Sequence, residues 1–250
     1  MIPSPIQDIQ KQTIVELQQQ IRRWEHRGQR AETTVISTGC DVLDSLFPSQ
    51  GIRRGSLVEW IGQGEASGAG TLSLLVCPQF GKVDRPAILI EGSRRIYPVA
   101  LAALGCNLSS LILVRTDSER EALWACEESL RCKAVDIVWA RIEHLTSLAF
   151  RRLQLAAEES GGVGFLVRSA EALKQPSWAD VRLLVAPRPT GGDSLRFQVH
   201  AAYSHGKTIR STANIEVDGL RGTFNTLRDW NDANRHRMEP FESCPVARSL

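Results

Sequence analysis

The stretch best placed to do chemistry is rich in glycine: Gly62-Gln63-Gly64-Glu65-Ala66-Ser67-Gly68-Ala69-Gly70, followed by Thr71. It comes directly after Ser56-Leu57-Val58-Glu59-Trp60-Ile61, which predicts a buried strand, and before an apolar run from Thr71 to Val76 that predicts a short helix. Strand, glycine loop and helix in that order are the layout of a phosphate-cradling P-loop. Such a loop needs glycines to turn backbone N–H groups inward, a lysine to neutralise the phosphates and a hydroxyl to hold magnesium. Here the glycines survive and the charge does not. The lysine position falls on Ala69, the hydroxyl position on Gly70, and Thr71 comes one residue late. No lysine lies between Lys11 and Lys82. Backbone dipoles alone hold an anion weakly. Gly62, Gly64, Glu65, Ser67, Gly68, Ala69, Gly70 and Thr71 therefore read as a degenerate nucleotide-binding loop, and binding is expected in place of catalysis.

No other residue set makes a stronger chemical case. The six cysteines (Cys40, Cys77, Cys106, Cys126, Cys132 and Cys244) are scattered without a Cys-x-x-Cys pair, so they read as small hydrophobes in a reducing compartment. No metal site and no cofactor are expected. Asp136 opens a strand and is expected to cap a turn, while Glu91 ends a strand without an evident basic or hydroxyl partner. Both read as structural.

The elements that must position the loop alternate along the chain. Apolar runs at 87–91, 110–114, 135–140 and 163–167 are separated by helix-like segments at 97–104, 117–131 and 145–160. Runs that are apolar throughout, alternating with helices, predict an α/β fold whose mainly parallel sheet is covered on both faces. After Pro176 the runs 180–185, 195–203 and 213–217 are joined by Gly-Gly and His-Gly turns and predict antiparallel strands on the C-terminal side. In the N-terminal segment Ile14, Leu17, Ile21 and Trp24 recur along one helical face. That stripe fits either a helix folded back on its own domain or one that docks on another chain. The expected organisation is an N-terminal helix and linker over 1–34, a core domain over 35–224 and a polar tail over 225–250.

A formal charge of +2 over 250 residues gives no argument for a nucleic acid or a membrane surface as partner. The N-terminus lacks the basic and apolar regions of a signal peptide, and no run approaches a membrane span, so a cytoplasmic protein is expected.

The order of segments resembles the opening of the bacterial RecA recombinase core. Ser37-Thr38-Gly39 with Leu43-Asp44, Gly55-Ser56-Leu57-Val58-Glu59, Gly64-Glu65-Ala66-Ser67-Gly68, Leu89-Ile90-Glu91-Gly92, Tyr97-Pro98, Leu104-Gly105 and Ala134-Val135-Asp136-Ile137-Val138 are collinear with it over about 36–190. Within that group the chain is most similar to the ImuA family (also called SulA-like). The block that carries this is Phe150-Arg151-Arg152-Leu153-Gln154-Leu155-Ala156-Ala157-Glu158, a turn at Gly161-Gly162, a strand ending at Arg168, and Pro176-Ser177-Trp178-Ala179-Asp180-Val181-Arg182-Leu183.

The resemblance implies a RecA-like core and an accessory role in error-prone translesion synthesis within the bacterial SOS response. Its implied partners are an ImuB-like inactive Y-family polymerase homologue, an error-prone C-family polymerase and RecA. It also implies that three catalytic positions are vacated: the phosphate lysine at Ala69, the water-activating glutamate at Ser93, and the Walker B aspartate at Arg141 or, one residue earlier, Ala140. Each loss removes a separate part of phosphoryl transfer. The N-terminal stripe and the pair Arg151 and Arg152 are the candidate docking residues. The recombinase's DNA-holding loops correspond to 141–146 and 168–177, which are short and carry few lysines, leaving room for weak DNA contact only. No small-molecule substrate is implied. Two alternatives stay open: a RecA/KaiC-type ATPase borrowing a lysine such as Lys82, and a SulA-like inhibitor of cell division.

Overall fold

A computed structural model describes residues 34–64, 66–81, 84–92, 96–190, 194–204, 211–218 and 223–225. The N-terminal stripe from Ile14 to Trp24, Glu65, Lys82, Ser93 and the tail beyond Asn225 lie outside the described residues. The core is an α/β sheet of nine strands. Six run parallel: β3 (Leu57–Gly62), β4 (Ala87–Glu91), β5 (Leu111–Arg115), β6 (Ile137–Arg141), β7 (Val163–Ser169) and β8 (Val181–Arg188). β9 (Ser194–Ser204), β10 (Ser211–Asp218) and β11 (Phe224–Asn225) extend it antiparallel, in the order β11-β10-β9-β8-β3-β7-β6-β4-β5. The hairpin pair β1 (Val35–Ile36) and β2 (Ile52–Arg53) stands apart.

Parallel strands must be covered on both faces because their crossovers lay helices there. β3 and β4 are accordingly buried at every residue. The side chains of β3 and β6 alternate between two separate apolar clusters. Val58, Trp60, Ile137 and Trp139 pack with α1 (Asp41–Asp44), α2 (Ala69–Val76) and α3 (Pro98–Ala103). Leu57, Val138 and Ala140 pack with α4 (Glu119–Arg131) and α5 (Ser147–Ser160) on the other side. α4 and α5 start at side-chain caps. Ser118 accepts from Glu121 N–H, Thr146 accepts from Ala149 N–H, and α5 stops at Gly161, whose φ of 75° favours glycine.

Arg53 and Arg54, at the end of β2, anchor two buried carboxylates at the N-terminal ends of the sheet strands. Arg53 pairs with Asp180 at 2.8 Å and Arg54 with Asp136 at 2.6 Å. Asp136 also accepts from Gly81 N–H at 3.1 Å, so its role is structural, as an ion-pair anchor across strands and not as a local turn cap. Among the described residues no helix is long and apolar enough to cross a membrane, and no group of three or more His, Cys, Asp or Glu is placed to hold a metal.

Candidate functional site: the loop after β3 and the ends of the parallel strands

The loop leaves β3 at Gly62 and is tied at once to the neighbouring strand, Gln63 N–H donating to Val185 at 3.0 Å. Gly64, Ala66 and Gly68 all have positive φ, the turn geometry that brings successive N–H groups to one side. Gly68 caps α2, whose first residue is Ala69. Ala69, the expected lysine position, is buried, and Thr71 is exposed in the first turn.

Two side chains stand where a nucleotide-binding loop is open. The Phe197 ring of β9 lies against Gly68, so close that a Cβ there would fall 2.0 Å from it. The Arg141 guanidinium lies against Gly70, where a Cβ would fall 2.8 Å from Nη2. Arg141 ends β6 and also sits over the Trp139 ring at 5.9 Å. Because strand side chains alternate, Ala140 faces the opposite cluster, and of the two candidate Walker B positions only Arg141 faces the loop. Trp139 Nε1 donates to Ser73 Oγ at 2.8 Å, and that hydroxyl donates to Gly70 O at 2.8 Å, which fastens β6 to the first turn of α2. Glycine is therefore required at 68, by the left-handed backbone and the Phe197 ring, whereas at 70 the tip of the flexible Arg141 side chain could move aside.

At the end of β4, Glu91 is buried, accepts from Ile96 N–H at 3.0 Å and faces Arg115 at 4.0 Å. It holds the start of the next segment, and basic Arg115 is the partner that local sequence did not reveal.

The opposite face of β3 carries a fully buried ion pair, Glu59 with Arg168 at 2.6 Å. Arg182 reaches the other carboxylate oxygen at 2.7 Å, and Ser177 Oγ donates to the same oxygen at 2.7 Å. The remaining Arg168 donors go to Ile142 O at 3.2 Å, Glu143 O at 2.8 Å and the Gln175 side chain. One guanidinium thus joins the segments 141–146 and 168–177. Glu143 carboxylate accepts from Ser169 N–H at 2.8 Å and adds a second tie. Arg168, Ser177 and Arg182 of the block named in the sequence analysis have their role in this knot.

On the outer side of α5, Arg152 pairs with Glu127 at 2.8 Å, and Arg131 shares that carboxylate at 2.6 Å. Burial pushes the Glu127 carboxyl up, but hydrogen bonds from Arg131 and Arg152 outweigh it and leave it below its ordinary value. Arg151 lies over the Trp178 ring at 4.8 Å. Cys77, Cys106 and Cys126 are buried, with burial raising Cys106 to about 11 and Cys126 to about 12. They are inert thiols. Cys132 departs from the buried expectation and is exposed, one residue past the end of α4.

Sequence reasoning missed Phe197 and the Glu59–Arg168–Arg182 knot. A partial signal existed for the second: a glutamate inside an otherwise apolar strand must find a buried partner, and three apolar runs end in an arginine, at Arg115, Arg141 and Arg168.

Comparison with known proteins agrees with this geometry. The model of the RecA N-terminal domain matches residues 6–152. RecA from Clostridium novyi is 34% identical over 103 residues, and RecA from Haemophilus ducreyi 30% over 110. Each of those matches spans only 29% of the RecA chain. Protein ImuA from Caulobacter vibrioides is 30% identical over 178 residues, covering 66% of this chain and 73% of that protein. With a RecA-type sheet, a glycine loop stripped of its lysine, and a match of that extent to ImuA, the chain belongs to the ImuA family of RecA-like proteins.

Proposed function

We propose that this protein is a non-catalytic, RecA-like adaptor in SOS-induced, error-prone translesion DNA synthesis, working in the cytoplasm. It would bridge RecA and an ImuB-like inactive polymerase. The observation that carries the reading is the loop itself. Ala69 and Gly70 stand at the lysine and hydroxyl positions, and Phe197 and Arg141 press on the glycines beside them. A guanidinium facing this loop repels a magnesium ion where a Walker B carboxylate would attract one. Hydrolysis then lacks charge neutralisation and metal coordination together, and with Ser93 at the water-activating position it lacks the base as well.

In this reading the core over 35–224 is a scaffold, and residues 1–34 supply a docking helix through Ile14, Leu17, Ile21 and Trp24. The tail over 225–250 is a second contact. Direct DNA binding is at most weak, because Arg168 ties together the two segments that would have to move around a strand.

The test has two arms. Millimolar Mg-ATP is expected to leave the melting temperature unchanged, whereas a ligand at a hundred times its Kd would stabilise the fold by about 2.7 kcal/mol, several degrees. The chain is expected to co-purify with an ImuB-like protein from the same bacterium. An ATP-dependent rise in melting temperature, or ATPase activity lost on changing the 62–71 loop, would favour the ATPase alternative. Filamentous growth on overexpression would favour a division inhibitor.

A further inference from the structure

We propose that the outer face of α5 is a docking surface for an acidic amphipathic segment of another protein, received by Arg151 between Leu148, Leu155 and Trp178. The proposal rests on the adaptor reading and gives one of its contacts a chemistry. Leu148, Arg151 and Leu155 are spaced three and four residues apart and so share one helical face. Leu148 is 73% exposed, Leu155 46% and Trp178 43%, an apolar set on the surface of α5 and the segment beside it. Such a patch on a folded surface marks an interaction site when its members adjoin one another.

The cation at its centre is built in. Arg151 is half-buried, stacks on Trp178 at 4.8 Å and hydrogen-bonds the Gln154 side chain. The Trp178 indole N–H donates in turn to Ser147 Oγ at 3.0 Å, which fixes the ring. Among the described residues no carboxylate forms an ion pair with Arg151, while its neighbour Arg152 is already taken by Glu127. The face thus offers a held guanidinium, short of a counter-charge, flanked by two leucines one turn to either side. Its complement is a carboxylate flanked by apolar side chains.

Other occupants fit less well. A second copy meeting this face symmetrically would set Arg151 against Arg151. A single-stranded nucleic acid needs an open aromatic face for stacking, and one face of Trp178 is covered by Arg151. Two exposed leucines favour a polypeptide over phosphate.

The experiment is a selection of random peptides displayed on phage against the full chain, with subtraction on the Arg151→Glu variant. Enriched peptides are expected to carry Glu or Asp beside spaced Leu, Ile or Phe. As synthetic peptides they are expected to bind the wild type about tenfold or more tighter than Arg151→Glu. Changing their acid to lysine should restore binding to that variant. Leu148→Asp, at a site too exposed to affect folding, should weaken the same peptides, and matching melting curves guard against an unfolded variant. Peptides that are basic, or that bind both proteins equally, overturn the proposal, as does a selection without enrichment. A labelled oligothymidine whose binding drops in Arg151→Glu would make the face a nucleic-acid contact and also overturn it. The selection contains no component of a translesion assembly, so failure of this surface and failure of the adaptor role are read separately.

Discussion

The two faces of the sheet around β3 have treated charge in opposite ways. On the side of Trp60 and α2, the loop that begins at Gly62 carries no lysine, and Phe197 and Arg141 press on its glycines. On the other side, Glu59 and Arg168 are fully buried, Arg182 is half-buried against the same carboxylate, and the Arg168 donors are shared between Glu59, two loop carbonyls and Gln175. A buried ion pair does not by itself stabilise a fold relative to apolar residues. Its presence here has a geometric use, because Arg168 reaches two loop carbonyls that no aliphatic side chain could hold. The contrast sets a glycine loop with no lysine or arginine of its own against a buried charge cluster that joins loops to the sheet.

The sharpest way to break this comparison is to remove one member of the knot. Glu59→Leu strands two guanidiniums, and Arg168→Met strands one carboxylate that keeps Arg182 and Ser177. Each single change is expected to cost about 3–5 kcal/mol in urea unfolding, with Glu59→Leu the more damaging. Equal, small losses would show that the knot is not the anchor its geometry implies. Next in size, Gly68→Ala combines a left-handed backbone with a clash against Phe197. It should cost about 2–4 kcal/mol, from roughly 1–2 for the backbone and the rest from overpacking. Phe197→Ala in the same background should recover the overpacking part only.

A smaller effect concerns pH. Glu127 and Glu119 both titrate below their ordinary 4.5 in the folded state. For Glu119 burial pushes upward, and hydrogen bonds from the backbone and side chain of His144 and the backbone of Glu143 outweigh it. A carboxyl with a lowered folded value adds stability at pH above its unfolded value and loses it as pH falls through the folded one. Melting temperature should therefore be flat above about pH 5 and decline below about 4.5, less steeply in Arg152→Ala. Smallest of all, Arg141→Ala at a half-exposed position is expected to change stability by less than about 1 kcal/mol. It should still not create ATP binding, since Ala69 and Gly70 remain.

The parallel strands, the loop and the three long helices were legible in the chain because each carries its own periodicity or punctuation. The run Ala87–Glu91 is apolar at every position but its last, and α5 is bounded by Thr146 and Gly161. The pair β1 and β2 was not legible, since two residues a strand leave no pattern to read. Nor was the closeness of Phe197 to Gly68, which are 129 positions apart in the chain and meet only because β9 extends the sheet past β8. The alternatives Ala140 and Arg141 could be separated only by which side of β6 faces the loop.

The sequence by itself determined that the loop carries no lysine, because that is a matter of residue type. It also determined the alternation of strands and helices that makes an α/β core. The tertiary structure decided what stands beside the loop, which cation meets Glu59, and that Arg151 stacks half-buried on Trp178. Those are contacts between distant parts of the chain, and local pattern carries no record of them: burial and pairing are properties of the folded sheet, set by strand order and by which face each side chain takes.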